Sequence, residues 1–244
     1  MRSQEHKDII ATNMSQPFSI ESFLSEEERQ ELINIYRSNQ AKIYKNTGPV
    51  TVNVEGDLKD HPIFLNILER LKPYIGDKFE VYTSFFFYVE RAHIIHNDDA
   101  FNFPLVYKGI CLPLEVEYIA EPSGYPHLCF FDQYYLEGPS KFFKGSKEIP
   151  TYYNKCVYEY SEVQNKSTEP FPEKVRQEYL THLQPSWLDE LSFNSAQLWK
   201  PGNAIIFDTT RLHVASDFQK KGIKSKLGIS IFTCLEGPTV KLVK

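Results

Sequence analysis

The sequence predicts a mainly β fold, a closed or double-sheet arrangement of strands buttressed on the outside by N-terminal α-helices. Three observations carry this. Aromatic residues make up 14% of the chain, with 18 Phe and 15 Tyr, a usage that favours strands. Two helix-period segments come first, and short β-branched and aromatic runs follow them. Pro, Gly, Asn or Asp punctuates most gaps between those runs. The 244 residues suit one domain better than two, with residues 1–78 as helical support and 79–244 as the β core.

The elements are read in order. "SFLSEEERQELINIYRS" is a helix: Ser25 caps it, Glu28 completes a capping box, and Leu32, Ile33 and Tyr36 recur on one face. "HPIFLNILERLKPYIG" is a second helix, with His61 at its N-terminus, Pro62 in its first turn, and Pro73 and Gly76 ending it. "KFEVYTSFFFYVE", "YKGICLPLEVEY", "HLCFFDQYYLE", "KCVYEYSEV", "NAIIFDTT" and "KLGISIFTCL" are strands. One helical interruption is expected near residues 172–191, with His182 in its middle, and His6 is expected in a mobile tail.

Charge and composition exclude several functions. A net charge of −5 argues against binding nucleic acid or an anionic membrane. No apolar run approaches the ~20 residues of a membrane span, and the N-terminus lacks the apolar core of a signal peptide. A cytoplasmic protein is the expectation. Cys111, Cys129, Cys156 and Cys234 are widely spaced with no C-x-x-C pair, which makes reduced thiols the expectation.

The chemistry concentrates in "HIIHNDDAFN", at the end of an aromatic strand. Strand side chains alternate, so His96 and Asp98 share a face and Asn97 points away. His93 and Asp99 fall on the opposite face unless the strand is already bending. An imidazole and a carboxylate on one face can reach a single cation, but a third ligand has to come from elsewhere. His213, at the far end of the "AIIF" strand that follows the Gly202 turn, is the candidate. Two imidazoles and one carboxylate leave three coordination positions open, the arrangement of non-haem Fe(II) oxygenases. H-x-D also occurs by chance, and the plain alternative is an Asx-turn beside a surface histidine. Calcium prefers all-oxygen shells, and a cupin-type site usually draws on H-x-H, which the chain lacks.

Taken in order, these pieces resemble the 2-oxoglutarate/Fe(II)-dependent dioxygenase superfamily, with the phytanoyl-CoA-dioxygenase-like branch nearest. "SFLSEEERQELINIY" resembles its opening helix, "HND" its H-x-D motif, "HLCFFDQ" the strand after it, "WKPGNAIIFDTTRLHVAS" the segment with the distal histidine, and "GIKSKLGISIF" the last strand. The resemblance implies a double-stranded β-helix (a jelly-roll, cupin-like barrel), with iron held by His96, Asp98 and His213. It implies Fe(II), 2-oxoglutarate and O2, and hydroxylation coupled to release of succinate and CO2. The family's arginine after the distal histidine is missing. Lys224 and Lys226, eleven and thirteen residues beyond His213, share one parity and are its replacements, with Lys226 favoured. Ser230 assists, and Arg211 is the fallback. Lysine meets a carboxylate as a point charge, without arginine's fork. The aromatic run "FFFYVE" is expected to wall the site or simply to pack the core. The insertion at 137–198 falls where a lid is often elaborated. A small polar metabolite or amino-acid derivative is the expected substrate, and a protein side chain the second choice.

Overall fold

In the computed structural model the described residues are 2–38, 44–45, 51–54, 58, 60–100, 105–119, 121, 124–142 and 163–235. The first two predicted helices form largely as read. α2 (Glu26–Ser38) closes its capping box reciprocally: Glu28 N–H donates to Ser25 Oγ at 3.2 Å, and Ser25 N–H to Glu28 Oε2 at 2.9 Å. α3 (Pro62–Ile75) is capped by His61 and runs through Pro73 before Gly76, at φ +84°, turns the chain. Pro73 lies inside the last turn and removes one N–H from the ladder, and the helix ends two residues later. The expected N-terminal tail is instead a helix, α1 (Gln4–Thr12), capped by the Ser3 side chain and anchored by buried Ile10.

Among the described residues twelve strands make two antiparallel sheets. The larger has the order β1 (Phe18–Ile20), β10 (Ala204–Asp208), β6 (Val106–Tyr118), β12 (Ile223–Leu235), β4 (Phe79–Val89), β3 (Thr51–Val54) and β2 (Tyr44–Lys45). The smaller has the order β8 (Lys141–Phe142), β5 (Ile95–His96), β11 (Arg211–Ala215), β7 (His127–Tyr134) and β9 (Phe193–Leu198). From β4 onward the chain mostly shuttles between the two sheets. That connectivity is a double-stranded β-helix, as expected, but among the described residues no strand pairing joins the sheets into a closed barrel. The first 60 residues add three strands to the larger sheet besides their helices.

Period-2 alternation sorts β12 cleanly. Ile229 and Ile231 face outward into a core with Leu32, Phe64, Ile67 and Leu71 of the helices. Lys226, Ser230 and Phe232 face the interior between the sheets. Gly228 lies between them for a steric reason: a Cβ there would stand 2.8 Å from the Phe87 ring and 3.0 Å from Trp199. The smaller sheet buries its outer face under α4 (Glu173–Tyr179) and a short 3-10 turn, Pro185–Leu188, through Leu180, Leu183, Leu188 and Leu191. The helix expected over 172–191 is broken: α4 ends at Tyr179, His182 lies in the turn that follows, and Pro185 keeps Gln184 extended before the 3-10 turn.

No helix among the described residues is long and apolar enough to cross a membrane. Cys111, Cys129 and Cys234 are buried free thiols, while Cys156 and the strand expected at "KCVYEYSEV" fall mostly outside the described residues.

Candidate metal centre

The smaller sheet brings three donors to one point on its inner face. β5 and β11 pair antiparallel with His96 and His213 directly opposite each other, and their ring centroids lie 4.3 Å apart. Asp98 follows β5, its N–H held by Thr209 O at 2.8 Å. Asn97 points the other way: its amide donates to Tyr135 O and Gly138 O, and its Oδ1 accepts from Ser140 N–H at 2.7 Å. This anchor turns the Asp98 carboxylate back toward the histidines. Asp98 Oδ2 is 3.2 Å from His213 Nε2, and Oδ1 is 3.7 Å from His96 Nε2. One ligand atom from each residue lies within 4.8 Å of the others.

The outer ring nitrogens show how the inner ones are presented. His96 Nδ1 is 2.8 Å from Ile94 O, and His213 Nδ1 is 3.0 Å from Arg211 O. A carbonyl can only accept, so each Nδ1 carries the proton and donates. The Nε2 lone pairs are then aimed at the Asp98 carboxylate. Two imidazoles and a carboxylate converging on one point are a donor set that fits a divalent metal. Burial, followed by the neighbouring His213 ring, holds the His96 pKa well below the usual imidazole value. Burial pushes Asp98 up, but His213, His96 and His93 outweigh it and leave the carboxyl below its ordinary range. Neutral His96 beside ionised Asp98 is the protonation state a metal requires.

The donors open on a cavity of about 290 Å³ between the sheets. Phe85, Phe87 and Val89 of β4 wall one side, while Phe86 points into the helix-facing core, 5.6 Å from the Tyr36 ring. The aromatic run therefore serves both expected purposes by alternation. Lys226 lines the cavity and is 4% exposed. Its Nζ lies 4.9 Å from the Trp199 ring centroid and 5.2 Å from that of Phe218, and it has no carboxylate partner among the described residues. Burial draws its pKa down to about 8. Ser230 lines the same cavity.

Two expected cosubstrate residues lie elsewhere. The Lys224 ammonium is half exposed and pairs with Glu117 at 2.7 Å. A register shift between Ile223 and Ser225 breaks the parity that would have turned it inward. Arg211 is buried but donates to Phe131 O and Ser15 O, both at 3.1 Å, and a second register shift, between Arg211 and His213, separates its direction from that of the histidine. His213 itself stands on its own strand, β11, after the Thr209–Thr210 turn, not at the end of the "AIIF" strand.

His93, expected on the opposite face, lines the cavity with its ring 4.8 Å from that of His96, because the chain bends between Arg91 and Ile94. Asp99 does face away, into an ion pair with Arg2. Reading missed Arg91 and Trp199 in the lining. The sequence held a signal for Arg91, which continues the inward series Phe85, Phe87, Val89.

A double-stranded β-helix with a His–Asp–His cluster between its sheets is the class this molecule defines. No protein-family model and no curated protein matches the sequence. Solved structures do. SnoN, a non-haem α-ketoglutarate-dependent epimerase from nogalamycin biosynthesis, is 12% identical with a TM-score of 0.54, covering 94% of this chain and 83% of that one. It has also been solved with Fe3+, α-ketoglutarate and nogalamycin RO. SnoK, a carbocyclase from the same biosynthesis and dependent on the same cosubstrate, is 12% identical with a TM-score of 0.54, covering 98% and 88%. EctD from S. alaskensis is 14% identical with a TM-score of 0.52, covering 95% and 79%. At these identities the likeness establishes the shared fold.

Proposed function

We propose that this protein is a non-haem Fe(II)- and 2-oxoglutarate-dependent oxygenase that hydroxylates a small polar metabolite or amino-acid derivative. The observation that carries the reading is a juxtaposition. Two imidazole donors and a carboxylate share one 290 Å³ cavity with a buried lysine that has no acidic partner among the described residues. A buried ammonium without a counter-ion is costly, and a dicarboxylate ligand would supply one. A cupin-type site needing only a metal would leave Lys226 unexplained.

His96, Asp98 and His213 hold the iron, and Lys226 with Ser230 takes the far carboxylate of 2-oxoglutarate. Bound together, iron, 2-oxoglutarate and O2 supply oxidative decarboxylation to succinate and CO2, coupled to oxidation of a substrate carbon. The chain's own part is to orient and to exclude water. Ile94 O and Arg211 O fix the two imidazoles in the tautomer that presents Nε2. Asn97 fixes the turn that presents Asp98. Phe85, Phe87, Phe207 and Phe232 keep the cavity apolar around the reacting centre. The cavity volume lies at the small end of ligand sites, which favours a small molecule over a bulky one. The helices and the β core act as one domain in this reading, with part of the 137–198 insertion as a cover.

The test is anaerobic titration of Fe(II) with 2-oxoglutarate, followed by succinate assay in air. A visible charge-transfer band and substrate-stimulated succinate are expected. His96→Ala and Asp98→Ala should remove turnover while near-wild-type folding persists. Succinate release at wild-type rate from either variant would remove that residue from the site.

A further inference from the structure

We propose that the substrate is an anion, a small carboxylic acid with an apolar body, whose charge is read by Arg91 at the cavity mouth. This rests on the oxygenase reading above and adds a binding subsite to it. The first argument is electrostatic. The protein is acidic, with a net charge of −5, yet the only acid lining the described cavity is Asp98, a metal ligand. Two basic side chains, Lys226 and Arg91, line it. With iron, ionised Asp98, doubly charged 2-oxoglutarate and Lys226 in place, the charges in the cavity cancel. Arg91 is left over as the uncompensated charge at the rim of an otherwise apolar cavity.

The second argument is positional. Phe85, Phe87 and Val89 form one inward series along β4, and Arg91, in the bend that ends the strand, lines the same cavity. Lys226 lies opposite Val89 across β4 and β12, one two-residue step from Arg91. Lys226 is buried at 4% exposure, whereas Arg91 is exposed on the rim. Depth separates the tasks: the deep cation suits the cosubstrate, and the rim cation suits a ligand arriving from solvent. Arg91 has no ion-pair partner among the described residues. Its neighbour Glu90 does not line the cavity and accepts a hydrogen bond from Tyr88 Oη at 3.3 Å. His93, two residues on, brings the same bend to within 4.8 Å of the His96 ring, so a ligand held at Arg91 has its body near the metal. The apolar wall between them fits a short alkyl or aryl chain.

The probes are hexanoate and 3-phenylpropanoate, each against its amide, which keeps the shape and removes the charge. Binding is read by calorimetry under nitrogen on protein loaded with Fe(II) and 2-oxoglutarate. The acids should bind at least tenfold tighter than the amides. Arg91→Ala should weaken the acids by about 10- to 100-fold, the range for a charge-assisted contact. It should leave amide and 2-oxoglutarate binding unchanged, and Arg91→Lys should restore part of the loss. Equal binding of acids and amides, or no binding of either, overturns the proposal. So does Arg91→Ala weakening 2-oxoglutarate as strongly as the acids, since the guanidinium would then serve the cosubstrate. A wild-type protein that fails to bind 2-oxoglutarate sinks the oxygenase reading instead. The acid–amide comparison is then read on metal-free protein, where loss of the Arg91 dependence ends this inference too.

Discussion

Two buried lysines on neighbouring strands of one sheet show how differently the same side chain can be housed. Lys108 on β6 and Lys226 on β12 are each 4% exposed. Lys108 is fully served: it pairs with Asp208, its cross-strand partner, and donates to Asn13 O at 3.0 Å and Ser15 Oγ at 2.9 Å. Asp208 also accepts from Ser15 N–H at 2.9 Å, so the cluster fastens the segment after α1 onto the sheet. Lys226 meets two aromatic faces and no described carboxylate. Cation–π contacts offset only part of the cost of burying an ammonium. The first lysine is a structural tie; the second has no carboxylate partner among the described residues, the feature on which the proposed 2-oxoglutarate subsite rests.

Replacing each lysine by methionine tests this contrast most severely. Lys108→Met removes the main partner of the buried Asp208 carboxylate, which keeps Ser15 N–H at 2.9 Å and Arg211 at 3.8 Å, so the loss should approach from below the roughly 3–5 kcal/mol of an orphaned buried pair. Urea unfolding should show a loss of that size. Lys226→Met removes an unpaired charge and leaves an apolar side chain among Trp199 and Phe218, so ligand-free stability should hold or rise. Equal destabilisation by the two variants would erase the distinction.

The next largest effect separates the two in binding. Lys226→Met should weaken 2-oxoglutarate about 100-fold or more, corresponding to the roughly 2–3 kcal/mol of a charge-assisted contact, with Fe(II) affinity nearly unchanged. Lys224→Met, which cuts a surface pair with Glu117, should alter neither. Calorimetric titration of both variants decides which lysine faces the cosubstrate.

What could be read from the sequence follows strand regularity. Where β12 keeps its period, alternation placed Lys226 on a usable face, and the capping box placed α2; His96 and Asp98 share a side as expected, though β5 ends at His96 and the Asn97 anchor turns Asp98 back. Where a strand bulges, the same rule misplaced residues, because one extra residue reverses every side chain beyond it. Lys224 and Arg211 both sit beside such shifts. His93 was assigned outward because the bend after β4 carries no proline or glycine to announce it. The Lys108–Asp208 tie joins residues 100 positions apart, and only strand pairing brings them together. α1 was hidden by its weak pattern, with Ile10 its one buried residue.

A smaller effect is set by pH. The folded pKa of Lys226, about 8, lies below the roughly 10.4 of a free lysine. Between these values the unfolded chain binds more protons than the fold, so ligand-free stability attributable to Lys226 rises with pH across that window. Relative to Lys226→Met, the wild type should gain about 1–2 kcal/mol between pH 7.5 and 9.5, at about 1.4 kcal/mol per pKa unit. Parallel pH profiles of the two proteins would mean that the ammonium has a counter-ion in solution. The sign is opposite to that of a lysine gaining a partner, which loses its stabilisation as pH rises.

The smallest expected change concerns the metal end of the same N-terminal segment. Arg2 pairs with Asp99, whose side chain is fully buried, and also donates to Leu136 O at 3.0 Å and Ala100 O at 3.1 Å. Asp99 adjoins the metal-facing Asp98, and Leu136 lies in the loop that Asn97 also grips through Tyr135 O and Gly138 O. Arg2 therefore braces the turn that presents one ligand, from the side away from the metal. Second-layer partners of metal ligands commonly matter by 10- to 100-fold, but Arg2 acts one residue further out and Asn97 remains in place. Arg2→Ala should weaken Fe(II) binding by about three- to tenfold, or about 1 kcal/mol, and Arg2→Lys should recover part of it through charge alone. Competition with a chelator measures this directly. Unaltered metal affinity alongside lowered stability would show that Arg2 fastens the terminus as Lys108 does and has no hold on the ligand.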